Sequence, residues 1–583
     1  MASNKIQFRS IHELKDPTLT QKLAQKEFIE EIPVDEINAA EENANTPLTS
    51  RRDFLKIAGF STAAVALAAC ESPVIKTIPY VVKPHNIIPG VPNYYASAYY
   101  DGYDFASVLV KTREGRPIKI NPNPAAKGFG CTNTRAQASV LSLYDNDKVK
   151  QPKLDKKDAT FDALDTYALK SLEGATASGK KIVLLSHSLP SPTFKKLFAD
   201  FKEKYPTAEL VIYDAIPLAA NLDAAQEVFG MRALPVYDLT KAELVVSFQA
   251  DFLEMFNGQS LEHSYAEARK PGKGMLRHIQ VEANISLTGA NADTRYRLKP
   301  SAVLNTLVEV YKGLDGETSN KEAKEILKEL KAKGNKAVVL ADGSKAAIVL
   351  SHLINQKLAS SAFTGEACFL KEYDGERYKQ LLSWLNAGEV DTLIINNVNP
   401  IYSSNQGEAF KTAATKAKNI ISFCDKKHEV YDISKAVIPV ANWLESWGDI
   451  APQTGVYALT QPTIQKIFKP RQLEESLLVW INGKDSEANN YYDYLKANAT
   501  TILHNATFNQ ALYHGINETP NIAGRLSYTG GDAEATINEI ASFKATDFEL
   551  TLYTNSIGDG TQANNPWLMS FQILLRDFLG IIT

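Results

Sequence analysis

Short apolar runs alternate with amphipathic stretches over residues 155–440. Lys180 to His187 (KKIVLLSH) has the length and composition of a buried strand, and Ser191 to Lys204 spaces its apolar residues as a helix does. Ala208 to Tyr213 reads as a second strand and Leu244 to Phe248 as a third. Helical Asn320 to Lys333 runs into the strand Ala337 to Leu340, helical Arg377 to Ala387 precedes the strand Thr392 to Asn396, and Ile420 to Cys424 completes the set. Strands separated by helices of this length imply parallel sheets covered on both faces. Such sheets bind ligands beyond the carboxyl ends of their strands. The polar residues at those ends are Ser186, His187 and Ser188; Asp214; Asp251; Asp342, Gly343 and Ser344; and Asn396, Asn397 and Asn399. Helix caps and turns use the same residue types, so for each of these both readings stand.

Upstream the period changes to two. Ala106 to Ile120 alternates around Arg113-Glu114-Gly115-Arg116, which predicts a β-hairpin, and Ala136 to Tyr144 is helical. After Cys70, Pro73, Pro79, Pro84, Pro89 and Pro92 predict extended chain, because each proline fixes its φ and lacks an amide donor. The apolar run Ile57 to Ala69 is short and contains Gly59, Ser61 and Thr62. A membrane-spanning helix needs roughly 20 predominantly apolar residues, so this run does not qualify.

The length of 583 residues allows several domains, and a hydrophobic content of 44% supplies large cores. A net charge of −4, with no basic tract beyond the one at Arg51, argues against nucleic acid as a ligand. Cys70, Cys131, Cys368 and Cys424 lie far apart, no two form a CxxC pair, and the histidines form neither HxH nor HExxH. The local spacings of zinc and iron–sulfur sites are therefore missing. No catalytic, cofactor-binding or metal-ligating residue is assigned.

Ser50-Arg51-Arg52-Asp53-Phe54-Leu55-Lys56, ahead of that short apolar run, has the pattern of a twin-arginine export signal, with Arg51, Arg52, Phe54 and Leu55 as its recognition residues. That route carries proteins already folded. Leu67-Ala68-Ala69-Cys70 resembles a lipoprotein box, whose cysteine becomes the lipidated first residue of the processed chain. One lipid chain binds only marginally and two or more anchor stably. The expected location is the periplasmic face of the inner membrane, with Cys70 as the anchor; a buried helix with a chance arginine pair is the alternative. Residues 1–49 are a polar leader extension in which Lys5 to Leu14 and Gln25 to Pro33 carry helix-forming charge patterns with little apolar surface. A disordered leader accounts for them as well as an extended signal does.

Several motifs, in order, resemble the molybdopterin oxidoreductase superfamily. The Phe8-Arg9-Ser10…Glu13-Leu14 and Glu27-Phe28 boxes before the arginine pair are similar to the extended signals of its members. The basic-Gly hairpin turn, an Asn-Pro step, Gly128 to Cys131 and the Gln137-Ala138-Ser139…Leu143-Tyr144-Asp145 segment resemble its N-terminal domain. Ile279 to Asp293 with Arg297 to Pro300, Asn399-Pro400-Ile401-Tyr402, and Ala436 to Gln461 around Glu445, Ser446, Trp447, Gly448 and Asp449 extend the likeness over residues 85–470. The resemblance implies a multi-domain α/β fold of the formate dehydrogenase/DMSO reductase type, with parallel sheets flanked by helices. It divides the chain into the twin-arginine signal with its lipobox at 50–70, a β-rich domain at 71–150, α/β domains at 151–310 and 311–470, and a helical or irregular segment at 471–583. In active relatives the Asn-Pro loop approaches the pterin, and Cys131 matches the last of four cysteines holding a [4Fe–4S] cluster. The stretch Tyr94 to Tyr103, where the others should lie, has no cysteine. The cluster is therefore expected to be lost, with Cys131 a small buried residue. No molybdenum ligand can be matched.

Within the superfamily the chain resembles the B subunit of alternative complex III, a quinol-oxidising respiratory complex in which a cofactor-free molybdoenzyme-like half precedes an iron–sulfur half. This implies a periplasmic, non-catalytic scaffold or electron-transfer subunit without molybdopterin, partnered by integral-membrane and multihaem cytochrome subunits. An exported molybdopterin-dependent oxidoreductase and a lipid-anchored binding protein are the alternatives. Asn564-Asn565-Pro566-Trp567-Leu568 resembles a family segment that precedes further domains, whereas Met569 to Thr583 departs from it. Restoring one base after the Leu568 codon permits a family-like continuation, so the expectation is a frameshift that removed a half carrying iron–sulfur clusters. An amphipathic helix over Leu568 to Leu579 is the alternative.

Overall fold

The computed structural model describes residues 88–568, except 89, 127, 255–260, 273, 554–557, 559 and 563. Arg51, Arg52, Phe54, Leu55 and Cys70, the leader before them and Met569 to Thr583 lie outside the described residues.

Asn93–Tyr100, Phe105–Arg113 and Arg116–Pro122 form a three-stranded antiparallel meander. Its hairpin turns at Glu114 (φ 49°) and Gly115 (φ 75°), the two left-handed residues that a tight turn between right-twisted strands requires. Val108, Val110 and Ile120 point inward and pack with Tyr99 against Val140 of the helix Thr134–Ser142. Asn133 caps that helix by accepting the Ala136 N–H at 2.8 Å. Cys131 departs from expectation: it is exposed. It lies in the turn leading to Asn133, which closes so tightly that a Cβ on Gly130 would sit 2.1 Å from the Asn123 carbonyl oxygen. Ala126 is buried and Phe129 packs edge-on against Phe105, while the Cys131 side chain is left exposed.

A seven-stranded sheet follows, in the order Lys157–Asp158, Lys153–Leu154, Ala436–Pro439, Asn419–Cys424, Val390–Asn396, Lys181–Ser186 and Ala208–Ile212. The last five strands are parallel, and the first two add an antiparallel edge. Ile182 and Leu184 face the helices Phe161–Ala177, Pro192–Lys204 and Leu473–Asn482, while Val183 and Leu185 face Gly375–Asn386 and Gly407–Ala414. Burial on both faces is why this strand reads as an unbroken apolar run rather than an alternation. Trp480, fully buried on the first face, donates its indole N–H to Asp165 (3.1 Å), which Arg471 grips with two hydrogen bonds of 2.6 and 2.8 Å.

The second sheet is wholly parallel, in the order Thr294–Arg297, Arg277–Glu282, Leu244–Phe248 and Ala337–Ala341. Helices Pro300–Gly313, Lys321–Lys333 and Lys345–Leu358 cover one of its faces. All four strands fall in sequence between Ala208–Ile212 and Val390–Asn396 of the first sheet. The sheets are therefore nested, and residue 310 lies inside the crossover helix Pro300–Gly313 of the second one. Among the described residues no helix is long and apolar enough to cross a membrane.

Candidate functional site

In the first sheet the chain steps outward from Lys181–Ser186 to Ala208–Ile212 on one side, and from Val390–Asn396 to Asn419–Cys424 and Ala436–Pro439 on the other. The direction of winding reverses between Lys181–Ser186 and Val390–Asn396, the point at which open parallel sheets place ligands. A cleft of about 770 Å³ opens there. That lies within the range of small-molecule sites, roughly 300–1,000 Å³. Strand ends contribute His187, Tyr213, Asp214, Asn397, Asn399, Asp425, Lys426 and His428 to its wall. Asp101 and Gly102 enter from the meander, Lys148 from the following loop, and Asn564 from near the end of the described chain.

The cleft thus joins His187, Asp214, Asn397 and Asn399, four of the strand-end residues, with Tyr402 of the Asn-Pro loop. Ser186 and Asn396 lie beneath them, tied across the switch point by a 3.0 Å hydrogen bond from Asn396 Nδ2 to Ser186 Oγ. The Ser188 hydroxyl donates to Asp214 at 2.5 Å. Asp251, Asp342, Gly343 and Ser344 belong instead to the second sheet and do not reach the cleft. There Ser344 caps the helix Lys345–Leu358, and burial raises the Asp342 carboxyl above its ordinary range.

Other groups of the wall have no local motif. Burial opposes the charge of Asp101, but the Arg135 guanidinium (2.5 Å) and the N–H groups of Asp104 (2.9 Å) and Tyr103 (3.0 Å) hold its carboxyl below the usual range. Lys371, with 2% of its side chain exposed, donates to the Gly102 carbonyl at 2.7 Å and lies 3.8 Å from Asp214. The approach is close: a Cβ on Gly102 would meet the His187 ring at 3.0 Å. Burial pushes the Lys148 amine down, against the pull of Glu445 at 3.9 Å. Burial likewise lowers the His428 imidazole, which lines the cleft, against the pull of Asp425, Glu429 and Asp432. Among the described residues, no partner meets His428 Nδ1 or the side-chain oxygen of Asn399. The sequence's one trace of this cluster is Lys371-Glu372, two charges that follow Phe369-Leu370 after the buried end of Phe363–Cys368.

A phosphate-bearing pterin would need free amide donors at the strand–helix turn that follows Lys181–Ser186. Those amides are taken. The Ser188 N–H donates to Asp214 (2.9 Å), Leu189 to Glu372, Ser191 to the Leu189 carbonyl (2.7 Å), Thr193 to Asp449 (3.2 Å) and Phe194 to Ser191 Oγ (2.9 Å). Residues 190 and 192 are prolines. The donor set of this turn does not fit such a phosphate. Nor do the cysteines among the described residues fit a [4Fe–4S] cluster, which needs several thiolates together. Cys131 is exposed, while Cys368 and Cys424 are buried in separate cores with thiols pushed up to about 12 by burial. Among the described residues no group of three or more His, Cys, Asp or Glu side chains could hold a metal ion.

No family model matches the chain. The menaquinone reductase molybdopterin-binding-like subunit of Nitratidesulfovibrio vulgaris is 22% identical to it, over 69% of this chain and 67% of that protein. Of solved structures, acetylene hydratase from Pelobacter acetylenicus superposes with a TM-score of 0.52 at 9% identity, covering 73% of this chain and 74% of that one. The fold is that of the molybdopterin oxidoreductase-like proteins, α/β with parallel sheets flanked by helices. The two likenesses support a molybdopterin oxidoreductase-like family.

Proposed function

We propose that this protein is a non-catalytic subunit of a respiratory quinol oxidoreductase of the alternative-complex-III kind, in which the molybdoenzyme-like fold serves as scaffold without molybdopterin. The observation that carries the reading is the first strand–helix turn, whose amides are met by the chain's own carboxylates. Similarity to a protein named as a menaquinone reductase subunit supports a quinone-linked membrane complex. On this reading Arg51, Arg52, Phe54 and Leu55 direct Tat export, and a lipid on Cys70 holds the protein at the periplasmic face of the inner membrane. Integral-membrane and multihaem cytochrome subunits are its partners, and iron–sulfur clusters are supplied by a partner chain. A second reading, an exported molybdopterin-dependent oxidoreductase, draws on the open cleft and the two unmatched atoms of His428 and Asn399. Metal and pterin analysis of protein purified gently from membranes, with identification of its co-purifying subunits, separates the two. Haem- and iron-containing partners with neither molybdenum nor pterin in this chain support the scaffold. Stoichiometric molybdenum refutes it.

A further inference from the structure

The acceptors in the first strand–helix turn converge from three distant parts of the chain. Asp214 follows Ala208–Ile212, Glu372 follows Phe363–Cys368, and Asp449 lies within Gly448–Ile450. Asp214 and Asp449 are buried. Besides the amides, they collect hydroxyls: Ser188 donates to Asp214 (2.5 Å), and Thr193 (2.6 Å), Tyr457 (2.9 Å) and Ser191 donate to Asp449. Cations balance part of the charge, with Lys371 3.8 Å from Asp214 and Lys195 paired to Glu372.

The second sheet repeats the device. Asp251 accepts the Thr288 N–H (3.0 Å) and hydroxyl (2.6 Å), and Glu282 accepts the Ser286 N–H (3.3 Å), its hydroxyl (2.6 Å) and Arg295 Nε (2.6 Å). Gly289 packs so closely on this group that a Cβ there would stand 1.9 Å from Glu282 Oε1. Burying a carboxylate is costly unless hydrogen bonds surround it, and a buried amide without an acceptor is costly too. Each cost cancels the other when the two meet. A phosphate at a strand–helix turn is held by the same amides.

We infer that Asp214, Glu372 and Asp449 are internal surrogates for a ligand's anionic groups, completing a turn that would otherwise require a bound phosphate. The inference goes beyond the scaffold reading, because it concerns what the fold needs in order to close, whichever complex the chain joins. Of the three, Asp214 also lines the cleft, and the buried Ser188 amide lies directly behind its carboxylate at 2.9 Å.

The test is thermal melting of the full chain with and without inorganic pyrophosphate. The wild type should melt at the same temperature in both. Asp214→Ala should melt several degrees lower and recover at least half of the loss with pyrophosphate. Asp214→Asn, whose side-chain oxygen can still accept from the Ser188 N–H, should gain nothing from it. In Asp214→Ala/Lys371→Met the gain should persist, since the Ser188 amide remains and the lysine does not. Should Asp214→Ala not fold from denaturant alone, its refolding yield should rise with pyrophosphate. Three results overturn the inference: a wild type stabilised as much as the variant, a folded or refolding Asp214→Ala indifferent to pyrophosphate, or a gain that vanishes with Lys371→Met.

Discussion

Lys371→Met tests whether the cleft wall is held by its buried charges. Methionine keeps the length of the lysine stem, so the packing term is small and the loss isolates the amine. That amine makes a 2.7 Å hydrogen bond to the Gly102 carbonyl. Hydrogen bonds to charged groups contribute about 1.5–3 kcal/mol. It is also a near cation to Asp214, at 3.8 Å, and breaking a buried pair by removing one member costs about 3–5 kcal/mol. The upper figure does not apply in full, because Asp214 keeps the Ser188 N–H and hydroxyl as donors. The net loss should be about 3 kcal/mol, roughly a hundredfold in the folding equilibrium. Urea unfolding followed by tryptophan fluorescence should show a lower midpoint at unchanged slope. Combining Lys371→Met with Asp214→Asn should give a total loss smaller than the sum, by about 1 kcal/mol or more, because the two share one interaction. A loss below about 0.5 kcal/mol, the range of ordinary surface substitutions, would refute the reasoning and place the amine in water.

Two further outcomes follow from burial. In the native protein a maleimide should label Cys131 readily, while Cys368 and Cys424 react only after urea, as read by peptide mass mapping; native labelling of either buried thiol would contradict the packing. Glu474, at the start of the helix Leu473–Asn482, is pushed up to about 7 by burial, with the neighbouring Glu475 and Asp449 charges adding to the rise. Because its folded value exceeds its unfolded one, its contribution is complete below about pH 4.5 and is lost as the pH rises through about 7, a difference that the partial exposure of the side chain keeps below about 3.4 kcal/mol. Relative to Glu474→Gln, the wild type should therefore lose stability between about pH 5 and pH 8, and parallel curves for the two proteins would remove the claim.

The first sheet was legible because its strands are buried on both faces and separated by strongly amphipathic helices. Lys181–Ser186, Ala208–Ile212 and Asn419–Cys424 stand within a residue of the apolar runs that announce them. Arg277–Glu282 was not read as a strand, since His278, Gln280 and Glu282 alternate with Ile279 and Val281 in a segment whose polar side chains are nonetheless buried. Its His278 and Gln280 satisfy each other at 3.2 Å, a pairing that composition does not announce. The helix Lys345–Leu358 was missed for the opposite reason. It buries Ala346 to Asn355 without interruption and so lacks the polar face that marks an amphipathic helix. A solitary cysteine favours the interior on average, whereas in this turn Ala126 and Phe129 take the inward places and Cys131 is exposed.

The candidate site was legible only where it is local. His187, Asp214, Asn397 and Asn399 sit at strand ends, and the parallel topology alone brings them to one rim. What those residues do depends on partners far away in sequence. Asp449 closes the turn at Thr193, Gln562 donates to Asp101 at 3.0 Å, and Lys371 meets Gly102. A ligand-binding turn has to leave its donors free and its backbone approachable, which constrains neighbouring residues and produces a motif. A turn closed by surrogates needs only that a carboxylate arrive from somewhere, and any of several elements can deliver it. Such acceptors leave no local pattern, because they are spread over the whole fold. The lack of cluster cysteines is visible in the sequence, whereas the carboxylates of Asp214, Glu372 and Asp449, which accept the turn's amides, come from elements that no local motif connects.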